Sequence, residues 1–118
     1  MAITINTQSK DFTEVEQYLM TLDRGIKSLK DVEDNTSIPV AGYLTFIDKK
    51  ENGDSVDILS IITPDNEVFS CQSATFKRSF DNITNIMHDK QFSIIKVSGT
   101  TKNGRPYIDC ALDVKSVK

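Results

Sequence analysis

A short segment near the end of the chain holds the residues best suited to bind a ligand. Lys102 and Arg105 flank an Asn-Gly dipeptide, and Tyr107 follows two positions after Arg105. Alternate residues on a β-strand share a face, so Arg105 and Tyr107 are predicted to project together. Cations that follow phosphates and an aromatic ring that stacks on a base are the means by which single-stranded nucleic acid is bound. An ordinary charged hairpin whose tyrosine packs on a neighbour would contain the same residues.

Three further residues are candidates for the same surface. Lys96 precedes the Asn-Gly turn on the partner strand, Tyr43 lies on an earlier strand, and Lys77 lies near the start of a predicted helix. Strand alternation does not decide whether Tyr43 faces the core. A lysine in the position of Lys77 is commonly solvated.

The residues that could support catalysis or metal binding are sparse. His88 is the only histidine and lies at the end of a predicted helix, where a cation interacts favourably with the helix dipole. Cys71 and Cys110 are single thiols without a metal-ligand spacing, and we expect them to be reduced and buried. Glycine-rich phosphate loops are absent from the sequence. We therefore expect a protein that is not an enzyme and has no metal or cofactor.

Five predicted strands and one helix must position these side chains. Asn52-Gly53 and Asn103-Gly104 predict hairpin turns, and the alternation around them predicts antiparallel pairs. The predicted strands are 40–48, 56–63, 67–72, 92–98 and 105–114. The predicted helix, residues 73–89, has an apolar face formed by Phe76, Phe80, Ile83 and Met87. A helix between the third and fourth of five strands is the order of an OB barrel. An α+β sandwich with its helix on one face has the same order.

The first 25 residues are predicted to form a helical extension to this unit. Asp11 with Glu14 resembles a capping box, and Gly25 is a typical residue after a helix end. Apolar residues recur between them at helical spacing, namely Phe12, Val15, Tyr18, Leu19 and Leu22. We expect a short surface helix here, and a polar stretch from Met1 to Lys10 with no hydrophobic segment of the secretory type.

Length and charge set further bounds on the protein. A chain of 118 residues is expected to form one domain, residues 1–118, with the barrel over residues 26–114. No apolar run reaches the length that a membrane span needs, so we expect no membrane partner. Residues 1–70 contain 13 acidic and 6 basic side chains, whereas residues 71–110 contain 3 acidic and 6 basic ones. Because salt screens charges within about 8 Å, a basic binding face can exist on an acidic protein.

The chain resembles the small single-stranded-DNA-binding proteins of bacteriophages and mobile elements of Gram-positive bacteria. The resemblance covers residues 26–114 and rests on three segments, Ser28-Leu29-Lys30-Asp31, Ser73-Ala74-Thr75-Phe76 and residues 99–107. It implies an OB-like barrel that coats single-stranded DNA during replication, in the host cytoplasm and without catalysis. It also implies that Lys102, Arg105 and Tyr107 contact DNA.

A second interpretation remains open on the residues alone. Six acidic side chains lie within residues 48–67, which suits a module that binds and regulates a host or replication protein. The sequence also leaves open whether the chain contacts replication proteins or forms a homo-oligomer.

Overall fold

The described part of the chain folds into a mainly β structure with two α-helices. The computed structural model describes residues 2–88 and 90–116. Its strands are β1 (Ala2–Gln8), β2 (Lys27–Ser28), β3 (Ser37–Val40), β4 (Gly42–Lys49), β5 (Ser55–Ile62), β6 (Val68–Cys71), β7 (Phe92–Thr100) and β8 (Pro106–Leu112). The α-helices are α1 (Glu14–Thr21) and α2 (Ala74–Met87). Asp89, the predicted end of α2, lies outside the described residues.

The predicted meander forms the centre of a five-stranded sheet. β4 pairs antiparallel with β5, and β5 pairs antiparallel with β6. The turn between β4 and β5 uses Gly53 at a φ of 93°, a left-handed conformation that glycine adopts without strain. β1 and β2 extend this sheet at its two edges, in the order β1-β4-β5-β6-β2.

β1 was not among the predicted strands. Residues 1–10 read as a polar stretch, yet β1 pairs antiparallel with β4 along its length. Ile3 and Ile5 alternate with threonines and pack against a buried cluster. The first 25 residues are therefore not simply a helical extension, because a sheet strand precedes the helix.

Most of the predicted first strand, residues 40–48, is β4, but its first residue, Val40, ends the separate strand β3. β3 pairs with β7 in a three-stranded sheet of order β3-β7-β8, whereas β4 belongs to the five-stranded sheet. Ala41 lies between β3 and β4, and its N–H donates to the carbonyl of Ile62 at 2.9 Å. A strand that bends in this way forms a corner between two sheets.

The two sheets do not close into the predicted five-stranded barrel. Over residues 2–88 and 90–116, no strand pairing joins β6 to β8. β2 occupies the free edge of β6, and the start of α2 meets β8. The Ser73 hydroxyl donates to the Ile108 carbonyl at 3.3 Å, and the Cys110 thiol donates to the Phe76 carbonyl at 3.8 Å. Contacts from α2 thus take the place of a closing ladder.

α2 packs between the sheets along its predicted apolar face. Phe76, Phe80 and Met87 are buried, and Ile83 packs against the same cluster. The Phe80 ring contacts a ring from each sheet, since its centroid lies 4.9 Å from that of Tyr43 and 6.2 Å from that of Phe92. This confirms the apolar stripe that the sequence predicts.

α1 covers the opposite face of the five-stranded sheet. Its cluster is formed by Phe12 and Met20 together with Leu44, Phe46, Ile62 and Val68. The capping box uses Thr13 and Glu16 rather than Asp11 and Glu14, with Glu16 N–H donating to Thr13 Oγ1 at 3.1 Å. The helix ends at Thr21, before the predicted Gly25. Neither α1 nor α2, the helices of the described residues, is long and apolar enough to cross a membrane.

Candidate nucleic-acid interface

A groove of about 710 Å³ lies where β6 and β8 fail to pair. One side is formed by Ser28 and Lys30, around the end of β2, and the end of β6 continues it through Gln72 to Ser73. The other side is formed by Ser98 on β7 and by Pro106–Ile108 on β8. The lining combines serine hydroxyls, one amide and two lysines, Lys30 and Lys96, with apolar side chains. Such a surface can hydrogen-bond to polar groups and pack against flat rings.

Segments distant in the sequence meet at this groove. Ser28 and Lys30 come from the first segment on which the family resemblance rests, Ser73 from the second, and Pro106 and Tyr107 from the third. Ser73 has two roles, because its Oγ accepts the Phe76 N–H at 3.1 Å as the N-cap of α2 and donates to the Ile108 carbonyl. The fold thus brings three segments that are far apart in the sequence to one cavity.

The β7–β8 hairpin places Tyr107 at the rim of the groove. Tyr107 pairs with Gly99, and Ser98 pairs with Ile108, so Tyr107 and Ile108 face opposite sides of the sheet as predicted. The Tyr107 ring, 40% exposed, lies across Gly99, where an added Cβ would be 2.5 Å from the hydroxyl oxygen. Glycine at position 99 therefore allows the ring to lie flat against the strand. Lys102 and Arg105 are exposed in the adjoining turn.

Lys96 lines the groove, as a candidate binding residue would, but it is buried and is not part of the exposed basic surface that the sequence predicts. It is 4% exposed, and its Nζ donates to the Val32 carbonyl at 2.7 Å and to Asp34 Oδ1 at 3.1 Å. Alternation on β7 explains the burial, because Lys96 follows Phe92 and Ile94 on the inward face. The ammonium group is thus bound to the protein itself rather than presented to a phosphate.

Asp34 connects Lys96 to Ser98, another residue that lines the groove. Its carboxylate accepts a hydrogen bond from Ser98 Oγ at 2.6 Å and pairs with the Lys96 ammonium. The Ser98 hydrogen bond, followed by that from Lys96, holds the pKa of Asp34 below its ordinary value. This ion pair connects the segment between β2 and β3 to β7.

Two predicted residues, Lys77 and Tyr43, are not among the residues that line the groove. Lys77, half-buried, donates from Nζ to the Asp57 carbonyl at 3.1 Å and so joins α2 to β5. Tyr43 is half-buried with its ring edge against Phe80, and its backbone bonds to Ser9. Tyr43 thus has a packing role that strand alternation did not reveal.

The groove also contains residues that the sequence did not single out as binding residues. Lys30 is exposed beside it, and Gln72 and Ser98 line it. In the sequence, Lys30 stands out only as part of the segment Ser28-Leu29-Lys30-Asp31. Gln72 and Ser98 resemble ordinary surface residues. Their common feature is proximity across the gap between the sheets, which no local pattern encodes.

The surroundings of Cys71, Cys110 and His88 indicate structural roles for these residues. Cys71 and Cys110 are buried free thiols, and burial raises the pKa of Cys71 to about 11 and that of Cys110 to about 12. Neither thiol is therefore ionised near neutral pH. His88 follows the last turn of α2, where its N–H donates to the Thr84 carbonyl at 2.9 Å. Among the described residues, no cluster of His, Cys, Asp and Glu side chains forms a metal site.

Comparison with protein-family models, curated proteins and solved structures finds no match to this chain.

Proposed function

We propose that this protein binds single-stranded DNA without strong sequence preference, through the groove and the β7–β8 hairpin. The observation that supports the proposal is the meeting of three segments at one open groove, beside an exposed tyrosine and two exposed cations. The role that follows is the coating of single strands during the replication of phage or mobile-element DNA in the host cytoplasm.

The strand order supports an OB-like interpretation of the site. In this interpretation β3 and β4 together correspond to one bent strand, the first of the barrel. β5, β6, β7 and β8 correspond to the other four strands. OB domains bind on the face of their second and third strands and on the loops beside it. Ile58 on β5, Ser70 on β6 and the end of the β7–β8 hairpin all line the groove. Because β6 and β8 do not pair among the described residues, the barrel-like structure is open along the proposed path of the single-stranded DNA.

In the proposed mechanism, basic side chains bind the phosphates, whereas aromatic and polar side chains bind the bases. Within the described residues, Lys30, Lys102 and Arg105 form no salt bridge, so their charges are available to phosphates. The Tyr107 ring offers a plane on which any base can stack. Serine hydroxyls both donate and accept hydrogen bonds, and the Gln72 side chain has one group of each kind. A groove built from such groups accepts different bases, which is the basis of sequence tolerance.

Fluorescence anisotropy with a labelled oligothymidine tests this proposal. Tyr107→Ala should weaken binding by about 5- to 150-fold, the equivalent of ~1–3 kcal/mol for one stacked base, with little change in salt dependence. Lys30→Ala, Lys102→Ala and Arg105→Ala should each lower the slope of log affinity against log salt by about 0.7. A duplex of the same sequence should bind more weakly than the single strand.

Matched controls separate the groove from general surface effects. Tyr18→Ala removes a tyrosine on α1 that is somewhat more exposed than Tyr107, and Lys115→Ala removes an exposed lysine beyond the far end of β8. Both variants should bind like the parent protein. A parent protein that does not bind the oligonucleotide, or controls that weaken binding as much as the groove variants, would rule the proposal out.

A further inference from the structure

A second apolar surface lies on α1, away from the groove. Val15, Tyr18 and Leu22 are 68%, 51% and 51% exposed. Their spacing places them on one side of the helix, because residues three and seven positions apart lie within one stripe. Phe12 and Met20 are buried against the five-stranded sheet. The helix region is therefore apolar on both sides, whereas a surface helix of a soluble domain normally exposes a polar face.

This outer stripe lies on a capped helix and has a net negative border. The Thr13–Glu16 capping box holds the start of the helix, and the Gln17 amide donates to the Phe12 carbonyl at 3.3 Å. Residues 10–24 contain four acidic side chains, Asp11, Glu14, Glu16 and Asp23, and two basic ones at the ends of the segment, Lys10 and Arg24, for a net charge of −2. A preformed apolar stripe with acidic borders favours a partner whose apolar stripe has basic borders.

We infer that the outer stripe of α1, formed by Val15, Tyr18 and Leu22, docks an amphipathic helix with lysine or arginine beside its apolar residues. Charge selects this occupant over a second copy of the chain, because two α1 faces would bring like charges together. None of the groove-lining residues within the described chain belongs to α1. The docked helix and single-stranded DNA can therefore be bound at the same time. This inference does not depend on the proposed DNA binding.

A synthetic peptide of roughly 18 residues tests the inference, a length at which a helix can form. It has leucines at helical spacing and lysines on the flanking positions. Its control has glutamates in place of the lysines. Amide chemical shifts of the isotope-labelled protein would locate binding. We expect the lysine peptide to shift signals of residues 13–23 and the glutamate peptide to bind at least about tenfold more weakly.

Single substitutions make the test specific to the stripe. Leu22→Ser should weaken peptide binding by at least about tenfold, since a buried leucine contributes that much to association. Ile86→Ser, at a residue of α2 that is 76% exposed, should leave peptide binding unchanged. Peptide shifts located outside α1, or equal weakening by both substitutions, would overturn the inference. Signals of α1 that depend on protein concentration alone would also overturn it, because the stripe would then bind a second copy.

Discussion

The contact between Gly99 and Tyr107 shows how a residue without a side chain can influence the position of an aromatic ring. An added Cβ at Gly99 would be 2.5–3.0 Å from the Tyr107 ring atoms and hydroxyl oxygen. Gly99 does not have a left-handed backbone, and the atoms nearest to an added Cβ all belong to Tyr107. The orientation of Tyr107 therefore depends on the residue across the hairpin.

Gly99→Ala should weaken binding of oligothymidine, because it moves Tyr107 away from the groove rim. The check is a double-mutant cycle measured by anisotropy. If Gly99 acts through the ring, Gly99→Ala should have no further effect in a Tyr107→Ala background. Additive losses in the double variant would show that Gly99 acts through something other than Tyr107.

The Asp34 carboxylate makes stability depend on pH in the acidic range. Its pKa in the folded protein is depressed, first by Ser98 and then by Lys96. A depressed carboxyl pKa stabilises the folded state above the unfolded pKa, and this contribution disappears as pH falls through the folded pKa. The relevant window lies below about pH 4, where an unperturbed aspartate titrates.

Asp34→Asn should therefore reduce the loss of stability on acidification. Urea unfolding at about pH 5 and about pH 3 is the measurement. The parent midpoint should fall more between these two conditions than the variant midpoint. Glu16, whose pKa is also lowered, titrates equally in both proteins and cancels from the comparison. An identical fall in both proteins would contradict the prediction.

At the scale of elements, α2 holds the two sheets together. Its aromatic ring Phe80 lies between Tyr43 of the five-stranded sheet and Phe92 of the three-stranded sheet. Since no described strand pairing closes the gap between β6 and β8, this packing replaces the missing ladder. Loss of the Phe80 ring should therefore destabilise the packing of both sheets.

Phe80→Ala should lower the free energy of unfolding by about 3–5 kcal/mol, the cost of removing a fully buried phenylalanine. Ile86→Ala on the exposed side of the same helix is the matched control and should change it by less than about 0.5 kcal/mol. Both values come from urea titration followed by circular dichroism. Equal effects in the two variants would mean that α2 does not connect the sheets.

At the scale of the whole molecule, the distribution of charge matters more than its total. The formal net charge is −3, yet the hairpin that contains Lys102 and Arg105 is locally basic. The molecule measures 40 × 39 × 24 Å, several times the screening length of about 8 Å at physiological salt. Acidic side chains on distant elements therefore contribute little to the field at the groove.

Glu14→Gln should leave the affinity for oligothymidine within about twofold of the parent value at physiological salt, because screening removes distant charges. Glu14 is exposed on α1, which contributes no lining residue among those described for the groove. Anisotropy at physiological and at about tenfold lower salt provides the test, since the screening length grows as salt is diluted. An effect as large at physiological salt as at low salt would show that α1 lies within the field of the site.

The sequence by itself determined the elements whose signals are local. Asn52-Gly53 and Asn103-Gly104 marked hairpin turns, in which Gly53 and Gly104 have positive φ values that glycine tolerates. The 3.6-residue spacing of α2 was sufficient to identify its buried face. Alternation along β8 correctly placed Tyr107 on the side opposite Ile108.

Tertiary structure alone decided the features that depend on partners distant in the chain. Residues 2–8 became a strand because the edge of β4 was available to pair with them. Lys96 was buried because Val32 and Asp34, more than 60 positions away, supply its hydrogen bonds. The groove arises because β2 takes the edge of β6 and α2 meets β8, so that the two sheets remain open. A local pattern records propensity and periodicity, whereas burial and strand pairing depend on which segments meet.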